Sequence, residues 1–262
     1  MKWAGNKYRL IPKIQALLPP GKRLIEPFVG SGAVFLNTSF PHYLLADANP
    51  DLIHLYNTLN REGDDFIDFC ESLFCSENHC AERYYHWREQ FNTTQDGVLR
   101  AALFIYLNRY GYNGLCRYNK SGGFNVPFGQ YKKPYFPRRE LLHFKKHSQH
   151  ATFMQGDYRD VLKQAKPGDV VYCDPPYVPL SDTAHFTAYT GATFSQTDQH
   201  TLVEWAERLA NRGVSVLISN HANTFTKTIY ANARTETFMV RRTISQKIEA
   251  RNEVQEILAL YD

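Results

Sequence analysis

Leu24-Ile25-Glu26-Pro27-Phe28-Val29-Gly30-Ser31-Gly32 decides how this chain of 262 residues is read. An apolar run that breaks into a proline and then two glycines is the pattern of a buried strand ending in a tight turn. A short helix is expected behind it, from Ala33 to Thr38. In an α/β sheet such a turn lies at the carboxyl end of the first strand, where ligands bind and glycine lets the backbone approach them. The spacing is not G-x-G-x-x-G, so a pyrophosphate need not be held there.

Working outward, Tyr43-Leu44-Leu45-Ala46-Asp47 reads as a second strand, ending in an acid where Rossmann-like folds bind ribose hydroxyls. A third, Thr152-Phe153-Met154, ends near Gly156-Asp157-Tyr158. The fourth, Val170-Val171-Tyr172-Cys173, runs directly into Asp174-Pro175-Pro176-Tyr177. That strand end carries a carboxylate, a stiff turn and an aromatic ring, which together suit a planar amino group. An exocyclic NH2 on a heteroaromatic ring is a poor nucleophile because its lone pair is delocalised. Acceptors aimed at its two hydrogens localise that pair, and the Asp174 side chain and the Pro175 carbonyl are such acceptors. Tyr177 offers a flat surface for the ring. The order of these elements converges on an adenosine-containing cofactor beside an amino-group clamp. Downstream, a helix over Gln196–Asn211 precedes a strand at Val214–Ser219, a βαβ continuation. Thr235–Val240 and Glu256–Tyr261 fit a closing antiparallel pair.

Between the second and third strands the pattern changes. Helices are expected over Pro50–Asn60, Asp64–Leu73, Ala81–Phe91 and Val98–Asn108, with no strand signal until Thr152. Two turn signals among dense aromatics, from Tyr110 to Asn125, read as a β-hairpin. The whole predicts a catalytic domain of residues 1–54 and 147–262 and an inserted domain of residues 55–146. The net charge of +4 is unevenly spread. From Arg100 to His150 there are ten Lys/Arg against Glu140 alone, which is +9 and leaves −5 for the rest of the chain. Such concentration is the footprint of a surface that contacts phosphates.

A chain with 43% hydrophobic residues has enough apolar material for a sizeable core. No apolar run is long enough for a membrane span and no signal-peptide pattern opens the chain, so the expected location is the cytoplasm. The five cysteines are an odd number without a Cys-x-x-Cys pair and are read as free thiols. Cys70, Cys75, His79 and Cys80 match no common zinc spacing, and no metal is expected. Cys173 is read as a buried small hydrophobe rather than a nucleophile, since methylation of an amino group needs no covalent attack on the ring.

Lys2-Trp3-Ala4-Gly5-Asn6-Lys7, Glu26–Gly32, Leu45-Ala46-Asp47-Ala48-Asn49, Tyr106–Arg117, Phe124–Gly129 and Asp174–Tyr177 together resemble the DNA adenine-N6 methyltransferases of the Dam type, nearly end to end. The resemblance implies a Rossmann-like, seven-stranded methyltransferase sheet with a DNA-recognition insertion. It also implies S-adenosylmethionine as donor, S-adenosylhomocysteine as product, and duplex DNA as substrate, with adenine in GATC as target. The chain is expected to act as a monomer, in a bacterial or phage-infected cell and associated with the nucleoid.

Residue by residue, the resemblance implies a donor site of Trp3, Ala4, Gly5, Lys7, Glu26, Pro27, Phe28, Gly30, Ser31, Gly32, Asp47, Asp157, Tyr158 and Asp174. Trp3, Ala4, Gly5 and Lys7 would cover the methionine end, Asp47 the ribose and Asp157 the adenine of the donor. The catalytic set is Asp174, Pro175, Pro176 and Tyr177. The DNA-binding set is Lys2, Arg88, Arg109, Tyr112, Asn113, Leu115, Arg117, Pro127, Tyr131 and Lys132. Adenine N6 lies inside the stack, so the nucleotide must turn outward, and Tyr112 with Asn113 is the expected wedge. Arg117 suits O6 and N7 of a guanine, and Leu115 and Pro127 suit a thymine methyl. Lys2 matches a reader of the flanking guanine.

Two departures stand out. Gln130 occupies a position where a basic residue is expected, leaving Lys132 and Lys133 to compensate, and residues 242–251 lack an expected Gly- and Asn-containing loop. His185-Phe186-Thr187 and Tyr189 suit either a mobile loop or a substrate lid. A methyltransferase of another amino group, such as cytosine N4 or a protein amide, and a DNA-binding protein without catalysis remain open from the residues alone.

Overall fold

The computed structural model describes residues 1–3, 5–177, 194–241 and 253–262. Its strands are β1 (Arg23–Glu26), β2 (His42–Asp47), β3 (Ala151–Gln155), β4 (Asp169–Cys173), β5 (Ser215–His221), β6 (Arg234–Arg241) and β7 (Glu253–Tyr261). They form one seven-stranded sheet in the order β3-β2-β1-β4-β5-β7-β6. The first five strands run parallel to one another, while β7 runs antiparallel to both β5 and β6. The closing antiparallel pair is therefore as expected. From β1 the chain builds outward to β2 and β3, and then returns to the other side of β1 to lay down β4 and β5. The reversal puts a crevice at the carboxyl ends of β1 and β4, the usual ligand position in open α/β sheets. Both the Glu26–Gly32 turn and Asp174–Tyr177 follow those two strand ends.

Strands β1, β2, β4 and β5 are apolar on both faces because both faces are covered. Leu24, Tyr43, Leu45, Val170 and Tyr172 point into one apolar cluster. Their neighbours Ile25, Leu44, Ala46, Val171 and Cys173 point into a second on the opposite face. The helices are α1 (Ile11–Leu17), α2 (Pro50–Glu62), α3 (Asp64–Ser72), α4 (Ala81–Thr93), α5 (Gly97–Tyr110), α6 (Arg138–His147), α7 (Tyr158–Leu162), α8 (Gln196–Ala210) and α9 (Thr224–Ile229). Helices α7 and α8 cover the second cluster through Val161, Leu162, Leu202, Ala206 and Leu209. The helix expected over Ala33–Thr38 shrinks to one 3-10 turn at Phe35–Asn37.

Helices α2 to α6 fill the insertion between β2 and β3, with α2 to α5 within a few residues of expectation. The insertion is continuous with the sheet. Phe66, Tyr84, Phe91, Tyr106 and Phe124 belong to the same apolar cluster as Leu24 and Leu45. Boundaries at 54/55 and 146/147 fall inside α2 and α6.

The expected β-hairpin over Tyr110–Asn125 is replaced by an irregular loop. A 3-10 turn spans Tyr112–Gly114, and only isolated bridges pair Gly111 with Phe128 and Tyr118 with Phe124. Side chains divert the backbone groups that a ladder would use. Asn119 Oδ1 accepts from the amides of Ser121 at 3.1 Å and Gly123 at 2.8 Å, and Asn92 Oδ1 accepts from that of Phe124 at 2.8 Å. Asn113, with φ of 53°, is the one non-glycine residue in the left-handed region among the described residues, and Gly114 follows at 63°.

Asp51 on α2 ties this loop to the helices. Its Oδ1 accepts from Arg100 Nε at 2.7 Å and its Oδ2 from the Tyr118 hydroxyl at 2.6 Å. Asp51→Ala strands a partly buried guanidinium and a phenol, so it is expected to cost about 3 kcal/mol, the low end for breaking a buried pair. Denaturant unfolding measures this, and a loss below about 0.5 kcal/mol, the range of neutral surface changes, contradicts it.

Candidate active site

The crevice begins with the turn after β1. Gly30 and Gly32 have φ of 46° and 71°, a region costly for residues with a Cβ. A Cβ on Gly30 would lie 2.8 Å from Trp3 Nε1, so the N-terminal segment packs directly on this backbone. Asp47 at the end of β2 fixes the turn from the side. Its Oδ2 accepts from the Gly30 amide at 3.0 Å and its Oδ1 from the Asn49 amide at 2.9 Å. Burial raises the Asp47 carboxyl, and the amides of Asn49, Gly30 and Ala48 pull it back down. Tyr56 from α2 donates to the Gly30 carbonyl at 2.5 Å.

Glu26 closes β1 at 2% exposure. Burial pushes its carboxyl well above the usual range, a hydrogen bond from the Phe35 amide opposes this, and the nearby charge of Asp174 adds to the rise. Its Oε1 has no hydrogen-bond partner among the described residues. On the other flank, Phe28 stacks on Tyr158 with centroids 5.3 Å apart and meets Phe194 edge-on at 5.7 Å. Phe194, which no motif in the sequence marks, adds an aromatic wall against Phe28 and Tyr158. Asp157 caps α7 and is held by Arg159, whose Nε and Nη2 reach its two oxygens at 2.7 Å each. That guanidinium keeps the Asp157 carboxyl below the usual range.

At the end of β4, Asp174 Oδ1 pairs with Lys7 Nζ at 2.9 Å and accepts from Ser219 Oγ at 3.0 Å. Lys7 Nζ also donates to the Gly5 carbonyl at 2.7 Å and lies 4.4 Å above the Tyr177 ring. The Tyr177 hydroxyl donates to Glu256 Oε2 at 3.3 Å, and His221 meets its ring at 4.5 Å and 80°. Gln199 Nε2 donates to the Pro176 carbonyl at 3.0 Å, which anchors the turn to α8. So the N-terminal segment, the β1 turn and the β4 turn are brought together. Ala4, His185-Phe186-Thr187, Tyr189 and residues 242–251 lie outside the described residues.

The expected DNA-facing residues lie on the insertion and beside it. Tyr112 is 46% exposed at the base of the irregular loop, where its amide donates to the Pro127 carbonyl. Pro127 is exposed and Leu115 half-buried close by. Arg117 is exposed, and Asn125 holds it through Nε at 2.8 Å and Nη2 at 3.1 Å. This leaves the end of the guanidinium fork pointing away from Asn125. Lys2 is anchored by its backbone to Asn108 at 2.8 Å in both directions, and its ammonium lies 4.0 Å over the Tyr131 ring. Arg88 donates to the Val126 carbonyl at 3.1 Å and Arg109 to that of Tyr135 at 2.7 Å. Lys132 is exposed.

Not all of the basic segment faces outward free. Arg100 pairs with Asp51, Arg138 with Asp68 and Glu71, and Lys145 with Asp64. Of the ten, Arg109, Arg117, Lys120, Lys132, Lys133, Arg139 and Lys146 make no ion pair with a described residue. The cysteines are free thiols, with Cys70, Cys116 and Cys173 buried. Burial raises the Cys173 thiol, so it stays protonated. Among the described residues no group of side chains suits a metal ion, and no helix is long and apolar enough to cross a membrane.

The sequence profile of the D12 class N6 adenine-specific DNA methyltransferases matches residues 3–245. A DNA adenine methylase of Escherichia coli (strain K12) is 53% identical over 261 residues, covering 100% of this chain and 94% of that one. One from Serratia marcescens is 52% identical over 262 residues, covering 100% and 97%. Among solved structures, a putative O-methyltransferase from Klebsiella pneumoniae has a TM-score of 0.43 at 10% identity, over 99% of this chain and 81% of that one.

Proposed function

Because the chain belongs to the D12 class of N6 adenine-specific DNA methyltransferases, we propose that it turns the adenine of GATC out of duplex DNA into the crevice beside Asp174. Membership makes it a DNA adenine methyltransferase that depends on S-adenosylmethionine, and what is added here is the target sequence, the extruded base and the roles of the residues. The observation that carries the proposal is the convergence of Asp174, Tyr177 and Lys7 with the Gly30 turn at the carboxyl ends of the central strands β1 and β4.

The crevice fits the donor. Glu26 Oε1 is a buried acceptor without a partner among the described residues, suited to an ammonium, and Trp3 packs on the Gly30 backbone where a Cβ would otherwise sit. S-adenosylmethionine supplies an electrophilic methyl group when bound. Trp3, Gly5, Lys7, Glu26, Pro27, Phe28, Gly30, Ser31 and Gly32 line its methionine side, Asp47 takes the ribose, and Asp157 with Tyr158 flanks its adenine. Ala4 completes the N-terminal part of that site. The product is S-adenosylhomocysteine and no metal takes part. On the substrate side, Asp174 and the Pro175 carbonyl accept the two N6 hydrogens, which localises the lone pair, and the Pro175-Pro176 turn fixes the line of approach. Tyr177 stacks on the base, and burial keeps its phenol protonated. These are effects of orientation and preorganised electrostatics rather than of covalent catalysis.

Gly30→Ala brings both strain and a clash with Trp3. Strain of 1–3 kcal/mol at such a position corresponds to roughly 5- to 150-fold weaker donor binding. Calorimetric titration with S-adenosylhomocysteine measures it, and unchanged affinity would remove Gly30 from the site.

Residues 55–146 form the recognition part, with Tyr112 and Asn113 as the wedge, Arg117 on guanine, Leu115 and Pro127 on the thymine methyl and Lys2 on the flanking guanine. Arg88, Arg109, Tyr131 and Lys132 contact the backbone. The enzyme works as a monomer in the bacterial cytoplasm, on nucleoid DNA. A duplex carrying 2-aminopurine at the target adenine tests the extrusion. Binding is expected to raise its fluorescence at that position and not at the next, and an unchanged signal at full occupancy contradicts it.

A further inference from the structure

We propose that Ser219 and Tyr172 are positioning residues that divide the Asp174 carboxylate, reserving Oδ1 for the protein and leaving Oδ2 to accept from the substrate amino group. This rests on Asp174 being the acceptor of the N6 hydrogens.

The sheet register sets the arrangement up. Cys173 on β4 is opposite Ile218 on β5, so the next residues, Asp174 and Ser219, are neighbours across the strands. Ser219 is fully buried and Tyr172 2% exposed, so water is excluded from the chain they form. The Tyr172 hydroxyl donates to Ser219 Oγ at 3.0 Å, and Ser219 Oγ donates to Asp174 Oδ1 at 3.0 Å. A serine hydroxyl has a single proton; the Cys173 carbonyl is farther away at 3.4 Å, and the Tyr177 hydroxyl, which Ser219 also reaches, gives its own proton to Glu256. With Tyr172 occupying a lone pair of Oγ, that proton is directed at the carboxylate. Burial raises the Tyr172 phenol far above its ordinary value, so it remains a donor at working pH.

Lys7 Nζ reaches the same oxygen at 2.9 Å. Oδ1 thus accepts two hydrogen bonds, while Oδ2 accepts none from a described residue. A carboxylate free to rotate about χ2 would present either oxygen, or neither, along the line of attack. Two donors on one oxygen hold its plane and leave a single directed acceptor. Lys7 supplies a net charge as well as orientation, whereas the serine and tyrosine are neutral donors. Their removal therefore changes how the carboxylate is held while the net charge of the site stays the same.

The test is single-turnover methyl transfer to a GATC duplex by Ser219→Ala, Tyr172→Phe, the double variant and Asp174→Ala. Ser219→Ala is expected to slow transfer on the order of 10- to 100-fold, the cost of misdirecting a reacting group. Affinities for duplex and for S-adenosylhomocysteine should stay within about twofold, since the loss lies in the chemical step. Tyr172→Phe should lose less, and the double variant should be no slower than Ser219→Ala, because the tyrosine acts only through the serine. A rate for Ser219→Ala within about twofold of the parent, or single losses that multiply in the double variant, overturns the inference. If Ser219→Ala does not fold, Tyr172→Phe decides alone, and a parental rate there overturns it. Turnover retained in Asp174→Ala instead removes the clamp itself, so the two failures are distinct.

Discussion

Asp174→Ala is expected to abolish methyl transfer, with a loss on the order of 10³-fold or more, while the fold and most duplex binding survive. Removing one preorganised group from a developing charge typically costs 10²–10³ in rate, and this carboxylate also sets the direction of attack. The fold is spared because Asp174 lies past the last residue of β4 and is only half-buried. Its loss strands the buried Lys7 ammonium, at a cost to stability on the order of the 3 kcal/mol of Asp51→Ala, but the ammonium keeps the Gly5 carbonyl and the Tyr177 ring and the protein stays folded. The variant should therefore bind a GATC duplex nearly as the parent does and transfer nothing. Single-turnover assays with labelled S-adenosylmethionine, alongside duplex-binding titrations, separate the two properties. Turnover near the parental rate would falsify the assignment of Asp174 as the amino-group acceptor.

Arg117→Ala is expected to relax sequence choice more than it weakens binding. An arginine that gives two hydrogen bonds to guanine is worth roughly 1–3 kcal/mol of discrimination, or about 5- to 150-fold in the ratio of right to wrong base pair. Asn125 raises the effect, since its side-chain and backbone oxygens fix the Nε edge and leave the end of the fork for the base. Nonspecific affinity should fall only by the share of one cation among several, because Lys120, Lys132 and Lys133 remain. Transfer to duplexes altered at one GATC base pair at a time reads this out. A uniform loss on every duplex, with the ratios unchanged, would mean that Arg117 contacts phosphate instead.

The sheet was readable in the sequence because parallel strands buried on both faces are apolar without interruption, as in Val170–Cys173. The strand ends were readable because their motifs are local. Helix α6 was missed since Arg-Arg-Glu-Leu-Leu-His-Phe-Lys-Lys-His is mostly charged and shows only two buried positions, Leu141 and Phe144. The hairpin was wrongly expected since turn residues and aromatics do not reveal that Asn92 and Asn119 take the backbone amides. The charge segment was overcounted because the partners of Arg100, Arg138 and Lys145 lie far back in the chain, at Asp51, Asp68, Glu71 and Asp64. In the site, Asp174 and Tyr177 were evident, but Lys7, Ser219 and Glu256 reach them from elements distant in sequence. Only strand parity hinted that Ser219 would stand beside Asp174. The Asp157–Arg159 pair carried a weak local signal, an acid at a helix start followed two residues later by a base.

Transfer of a methyl group to N6 of adenine within GATC is read out by incubating duplexes with labelled S-adenosylmethionine and digesting them to nucleosides. Label is expected in N6-methyladenine, from GATC duplexes and not from duplexes with one of those base pairs changed. Label in N4-methylcytosine, label independent of sequence, or none in DNA at all would contradict it.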